Sequence, residues 1–118
     1  MNKITISVLF PLALLLSSPG YSESDVDAVT ISKVSIVKKL VMITLKGDLP
    51  ENQENCIVMG AKRKVVIDLD NNDNAGYLYT HIMTAMVSNK PVNLLLNGCV
   101  SVSDIMSLPS VDSVEIIN

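Results

Sequence analysis

The stretch KVVIDLDNNDNAGYLYTHIMTAMVSNKPVNLLLNGC, from Lys64 to Cys99, decides how this chain folds. Alternating apolar residues at its start predict a strand over residues 63–69. A polar cluster breaks this strand, and apolar residues at helical spacing then predict a helix over residues 74–88. After a short turn the alternation returns and predicts a further strand over residues 92–96. The stretch therefore combines a strand, a helix and a second strand.

The predicted helix has sequence signals at both of its ends. Asp73 and Asn74 suit the N-cap position, where a short polar side chain accepts a backbone N–H. Asn89 tolerates the left-handed conformation that ends many helices, and Pro91 cannot continue a helix. The residues predicted to face the core are Leu78, Ile82, Ala85 and Met86.

The chain before this stretch predicts two more strands. Apolar residues alternate from Val29, and their parity then shifts by one residue, which indicates a β-bulge in a long, curved first strand. Lys38-Lys39 forms a polar turn, and residues 41–45 alternate again as the second strand. Residues 23–28 are acidic and polar and are predicted to form a loose arm.

The end of the chain predicts one last strand. Residues 100–110 contain Pro109 and are predicted to form a loop, and Val114 and Ile116 then alternate in a fifth strand. The fold class is therefore mainly β with one helix. The order β-β-β-α-β-β is that of a five-stranded OB-fold-like barrel, in which the helix plugs one open end. An α+β open sheet with one helix is the alternative.

The first 22 residues have the pattern of a secretory signal peptide. A short positive start precedes an apolar run and small residues, and Gly20 and Ser22 fit a cut after Ser22. Residues 23–118 are then expected to form a single exported domain in the periplasm or outside the cell. Thiols oxidise there, so we expect Cys56 and Cys99 to form a disulfide. Two free thiols and a bond between chains are the alternatives.

Composition argues against several functions. The chain of 118 residues has a net charge of −3, no Trp and one His. Nucleic-acid binding needs a basic groove with stacking rings, and acid–base catalysis needs paired, tuned groups. His81 stands alone, and the Asp/Asn-rich turn at residues 70–74 lacks the Gly and Glu of an EF-hand loop. We therefore predict no enzyme, no cofactor and no metal site. The basic triplet Lys62-Arg63-Lys64 is either an anion contact or a solvated strand start.

Residues 64–99 resemble a group of small exported proteins of Gram-negative bacteria. The shared features are a strand that ends in an Asp/Asn turn, a helix with a Leu/Tyr–Met/Leu–Ala pattern, a short turn at residues 88–92, and a strand that closes on Gly98-Cys99. This group is similar to the B subunit of subtilase cytotoxin. The resemblance implies an OB-fold, a ring of five subunits and binding of sialylated glycans on host cells.

These observations predict a non-enzymatic exported binding or interaction protein that resembles the subtilase cytotoxin B subunit and need not have a toxin partner. Its ligand would be a protein, a peptide or a glycan. The alternative is a glycan-binding B subunit of a pentameric toxin. Exposed strand edges would allow a homo-oligomer, since edges invite pairing. Sugar sites combine an aromatic face with fixed polar groups, so the candidate ligand-binding residues are Ser32, Ser35, Tyr77, Tyr79 and Asn97.

Overall fold

Six strands and one helix make up the structure, a computed structural model that describes residues 23–50 and 54–118. The fold class is mainly β with one helix, as predicted. The predicted signal peptide, residues 1–22, lies outside the described residues. The elements are β1 (Glu23–Val29), β2 (Ile31–Val37), β3 (Leu40–Leu45), β4 (Lys64–Asp68), α1 (Ala75–Ser88), β5 (Val92–Ser103) and β6 (Met106–Ile116).

The strands form one open sheet in the order β1-β5-β6-β4-β3-β2. Neighbours are antiparallel except β4 and β6, which pair in parallel where Val66 faces Ser110. The two strands at the ends of this order, β1 and β2, are consecutive in the chain and are separated by Thr30 alone. The sheet thus has its two edges joined by one residue.

The sheet has six strands where five were predicted, because the chain before Thr30 is also a strand. Residues 23–28, predicted to be a loose arm, belong to β1, and residues 23–26 of this segment pair with β5. Their exposed acids at positions 23, 25 and 27 alternate with buried Ser24 and Val26. This is the period-2 pattern of a half-buried strand, and the high charge of its outer face concealed it.

The prediction of a loop over residues 100–110 is also wrong. β5 continues to Ser103 and β6 begins at Met106, so the two strands form a long hairpin in which Cys99 pairs with Pro109. Val100 and Val102 are half-buried and alternate with exposed serines, which supports extended pairing. This pairing outweighs the missing N–H of the proline.

The predicted bulge and turn of the first hairpin are confirmed. The register between β2 and β3 shifts between Ile31 and Lys33, where the parity of the apolar residues changes. Lys38 and Lys39 form the turn, and Lys38 has a positive φ of 57°. The two strands therefore pair as the sequence indicates, with one extra residue in β2.

The helix supplies one side of the principal core. It packs against β2, β4 and β6. Ile82 and Ala85 are fully buried, and Met86 packs against the same cluster while half-buried. Asn89 ends the helix in the left-handed conformation, with φ 54° and ψ 42°, as predicted. Asn74 precedes the first turn, but its side chain makes no capping hydrogen bond. Within the described residues, α1 falls short of what a membrane-crossing helix requires.

A polar turn separates β4 from the helix. The Asp68 carboxylate accepts hydrogen bonds from the Asn71 side-chain amide at 2.8 Å and from the backbone N–H of Asp70 at 3.0 Å. The Asn71 amide lowers the pKa of Asp68 most; desolvation opposes it, and the backbone N–H donors of Asp70 and Asn71 lower the pKa further. Asp68 to Asn71 thus form a turn that is held by its own side-chain hydrogen bonds.

The predicted disulfide is confirmed. Cys56 and Cys99 are bonded across a sequence separation of 43 residues. Cys56, Val66 and Leu108 are buried but lie outside the principal core cluster. The disulfide joins the loop before β4 to the middle of β5, which extends beyond the strand end predicted at residue 96.

Candidate binding groove

A groove beside the β3–β4 pair is the candidate functional site. Its volume is about 570 Å³. We call it the basic groove, because three consecutive cationic residues line it. Its lining residues are Thr44, Asp48, Gly60, Ala61, Lys62, Arg63 and Lys64.

The backbone after β3 runs beside the backbone before β4 and shapes the groove. The N–H of Leu45 donates to the Arg63 carbonyl at 2.7 Å, and the N–H of Leu49 donates to the Lys62 carbonyl at 2.8 Å. A tight turn follows Val58, since the N–H of Ala61 donates back to the Val58 carbonyl. Gly60 has φ +88° in this turn, a conformation that favours glycine. These bonds place residues 60–64 opposite Asp48.

Strand register places one lysine on each side of Thr44, and one of the two, Lys33, lies outside the triplet. Lys33 of β2 pairs with Thr44 of β3, and Thr44 pairs with Lys64 of β4. Directly paired residues project from the same face of a sheet, so these three side chains form one row. Strand spacing puts the two lysine Cα atoms about 10 Å apart. The row continues the positive charge of the triplet across three strands.

One ion pair lies in the groove. Arg63 Nε donates to Asp48 Oδ1 at 2.8 Å, and both side chains are 58% exposed. A pair with this exposure contributes little to stability because water screens it. It does orient the guanidinium, which keeps N–H donors beyond the one that Asp48 accepts.

The charge of the groove is opposite to that of the chain. The chain as a whole carries −3, whereas the described lining contains Lys62, Arg63 and Lys64 against the single acid Asp48. Concave clusters of one sign attract ligands of the other sign. The basic groove can therefore hold an anionic group with charge-assisted hydrogen bonds.

Three links hold the loop over residues 54–56 to the sheet. Glu54 is 8% exposed, and its carboxylate accepts hydrogen bonds from the Ser24 hydroxyl and, at 2.8 Å, from the Gly98 N–H. The third link is the disulfide between Cys56 and Cys99, the residue that follows Gly98 in β5. These links join β1, β5 and the loop that continues into the groove wall at Gly60.

The five predicted ligand-binding residues do not form one site. Ser32 is exposed at the bulge, and its hydroxyl donates to the Thr44 carbonyl at 3.1 Å, so it lies beside the basic groove. Ser35 is half-buried and pairs with Met42 further along the same hairpin. Asn97 is exposed on β5 and pairs with Glu23, at the other end of the strand order.

The two tyrosines lie on the helix and differ in their surroundings. Tyr77 is 74% exposed, whereas Tyr79 is half-buried against the principal core. Helix geometry places residues two apart on different faces. Among the described residues, no hydrogen bond joins either tyrosine side chain to the three polar candidates.

The sequence analysis singled out the Lys62-Arg63-Lys64 triplet but missed its partners. Lys33, Thr44 and Asp48 join it through strand register and the return of the loop, which the triplet alone does not reveal. The Lys33–Thr44 pair could have been found from the shift in apolar parity, because that shift fixes how β2 meets β3. Asp48 carries no local signal of its role.

The described residues contain no group of three or more His, Cys, Asp or Glu side chains arranged to hold a metal ion. The chain matches no known protein family, and comparisons with curated proteins and with solved structures find no match.

Proposed function

We propose that this chain is a non-enzymatic binding protein of an oxidising compartment outside the cytoplasm, and that it holds its ligand in the basic groove. The observation that carries the proposal is the convergence of Thr44 and the Lys62–Lys64 triplet on one groove, with Lys33 paired to Thr44 beside it. Ammonium, guanidinium and hydroxyl groups supply donors and charge that retain a ligand. The disulfide is compatible with export by the predicted signal peptide.

The proposal includes an OB-fold-like barrel. In this interpretation β1 and β2 are two halves of one bent strand that divides at Thr30, which leaves five strands in the OB order. The N–H of Lys46 donates to the Thr30 carbonyl at 2.9 Å, so β3 extends its pairing to the point where the strand bends. The joined edges and the resemblance of residues 64–99 to proteins similar to the subtilase cytotoxin B subunit support this interpretation.

Export and binding can be tested with one preparation. The full chain is expressed in an exporting bacterial host, purified without reductant and weighed by mass spectrometry. We expect cleavage after Ser22, one intact disulfide, and ligands from a glycan and small-metabolite screen that are recovered chemically unchanged. A product that remains in the cytoplasm with its first 22 residues would contradict the export proposal, and conversion of a bound ligand would contradict the non-enzymatic one.

A glycan-binding subunit of a ring-forming toxin is the second candidate, and the helix favours it. No Asp, Glu, Lys or Arg occurs in α1 (Ala75–Ser88), although Tyr77 is 74% exposed and Val87 is 79% exposed. An uncharged helix face suits packing against further copies of the chain. The mass in solution and a glycan array test this candidate. A pentamer that binds sialylated glycans would support it, and a monomer without glycan binding would overturn it.

A further inference from the structure

We propose that the ligand of the basic groove carries a phosphate or sulfate group on a body of sugar size. The inference rests on the proposed function and names its ligand class. Lys62, Arg63 and Lys64 line the groove, and Lys33 flanks it across the sheet. Oxyanions with several acceptor oxygens match such a set of donors better than a neutral ligand does.

The row of Lys33, Thr44 and Lys64 across the sheet can bind one oxyanion. Lys33 and Lys64 lie on either side of Thr44 on the same face, with Cα atoms about 10 Å apart. Each lysine has a flexible four-carbon stem that lets its ammonium reach inward. A tetrahedral anion placed over Thr44 can therefore meet two ammonium groups and a hydroxyl.

The Asp48 carboxylate tunes the charge of the groove. It accepts from Arg63 Nε at 2.8 Å, which directs the guanidinium and leaves its other donors for a ligand. The carboxylate also repels an approaching anion. Removal of the Asp48 charge is therefore expected to strengthen binding of an anionic ligand. If the lysines and Arg63 were only solvated by water, this substitution would have no effect on ligand binding.

The size of the groove sets the size of the ligand. About 570 Å³ falls within the range of small-molecule sites, roughly 300–1,000 Å³, and exceeds the volume of an inorganic ion. Gly60 and Ala61 contribute little side-chain bulk to the wall. Anionic vesicles serve as a contrasting probe, because a lipid surface offers phosphate groups without a separate sugar-sized molecule.

The test is an NMR titration of the oxidised protein, produced from the full chain in an exporting host. The probes are glucose 6-phosphate, glucose 6-sulfate, glucose, inorganic phosphate and vesicles that contain an anionic lipid. We expect the two charged sugars to shift the backbone amides of residues 44–48 and 60–64 in a saturable manner. Glucose at equal concentration should not shift them, and added NaCl should weaken the binding.

Three variants locate the site. Lys64→Gln is expected to weaken glucose 6-phosphate binding about fivefold, since it removes one ammonium beside the anion. Asp48→Asn should strengthen glucose 6-phosphate binding about threefold, because it removes a negative charge that repels the anion. Lys38→Gln is the matched control. It changes the net charge equally but lies in the turn at the far end of the β2–β3 hairpin, so the affinity should be unchanged.

The outcomes separate this inference from the proposed function. Equal shifts by glucose and glucose 6-phosphate would overturn the anionic class while the groove remains a binding site. Equal weakening by Lys64→Gln and Lys38→Gln would show charge attraction without a site and would overturn the inference.

Saturable binding of vesicles without binding of the charged sugars would assign the groove to a lipid surface and overturn the inference too. Inorganic phosphate that binds as tightly as glucose 6-phosphate would overturn the sugar-sized body, because a free ion would then account for the binding. Release of phosphate from glucose 6-phosphate would contradict the non-enzymatic function instead.

Discussion

The helix and the loop before β4 are stabilised in different ways. The helix contributes Ile82 and Ala85, both fully buried, to a continuous apolar core. The loop is held by a disulfide at Cys56 and by hydrogen bonds to the buried Glu54 carboxylate. The helix side depends on removing apolar surface from water, and the loop side depends on a few specific links.

This difference separates the fold from the candidate site. The loop continues directly into the wall of the basic groove at residues 60–63, so the links at Glu54 and Cys56 position the groove. The helix packs against β2, β4 and β6 and holds the sheet together. Changes on the helix side should therefore lower the free energy of unfolding and leave the groove unaltered, whereas changes among the links of the loop should lower it and also alter the groove.

The largest expected effect on stability comes from removing the disulfide between Cys56 and Cys99. A variant with both Cys56→Ser and Cys99→Ser loses the cross-link, and the chain-entropy model assigns roughly 4 kcal/mol to a loop of this length. We expect the free energy of unfolding in urea to fall by about this amount while circular dichroism retains the β-rich spectrum. The wild-type protein under reducing conditions is the control. Unchanged stability would show that the loop is held without the disulfide.

A single apolar deletion tests the helix side. Ile82→Ala removes a fully buried side chain, and such substitutions cost about 3 kcal/mol through lost transfer free energy and a residual cavity. Urea unfolding measures the change. Val87→Ala lies on the same helix but is 79% exposed, so its stability should stay within about 0.5 kcal/mol of wild type. Similar losses in the two variants would contradict the assignment of the buried face.

The Glu54 carboxylate tests the polar links on the loop side. Glu54→Ala leaves the Gly98 N–H and the Ser24 hydroxyl without this acceptor, and we expect a loss of about 2 kcal/mol in urea unfolding. The amide signals of residues 60–64 should also shift, because the loop leads into the groove wall. The matched control is Glu115→Ala, which removes an exposed carboxylate that accepts from Asn93. An equal loss of unfolding free energy in Glu115→Ala would contradict the proposal that Glu54 holds the loop to the sheet.

The smallest expected effect concerns the turn at Asp68, which belongs neither to the helix nor to the loop before β4. Its pKa is lowered below the ordinary 3.8, first by the Asn71 amide. A carboxyl with a lowered folded pKa stabilises the fold above its unfolded pKa and loses that contribution as pH falls through the folded value. Asn71→Ala should raise the pKa of Asp68 toward 3.8 in an NMR titration and flatten the pH dependence of stability below about pH 4. An unchanged pKa would contradict the assigned hydrogen bond.

Much of the fold could be predicted from the sequence where one physical signal dominated. The helix followed from the spacing of Leu78, Ile82 and Ala85, and its end followed from Asn89. The disulfide followed from the cysteine count and the expected compartment. Residues 23–28 and 100–110 were misassigned because acids, serines and Pro109 obscured an alternation that only strand pairing makes visible.

The candidate site was less predictable, because it depends on contacts between distant parts of the chain. The Lys62–Lys64 triplet was noticed, but nothing local joins it to Lys33 or Asp48. Of the five residues nominated from the chemistry of sugar sites, only Ser32 lies beside the groove, through its bond to the Thr44 carbonyl. Residue types identified suitable chemistry, but strand register decided which residues meet.

The strand order has a mechanical consequence. β1 and β6 flank β5 and run parallel to each other, so Glu23 and Ile116 lie toward opposite ends of the same three-stranded ladder. Tension applied between the start of β1 and the end of β6 would load these hydrogen bonds in shear, all at once, instead of unzipping them one by one. The domain is therefore built to resist pulling along its own chain.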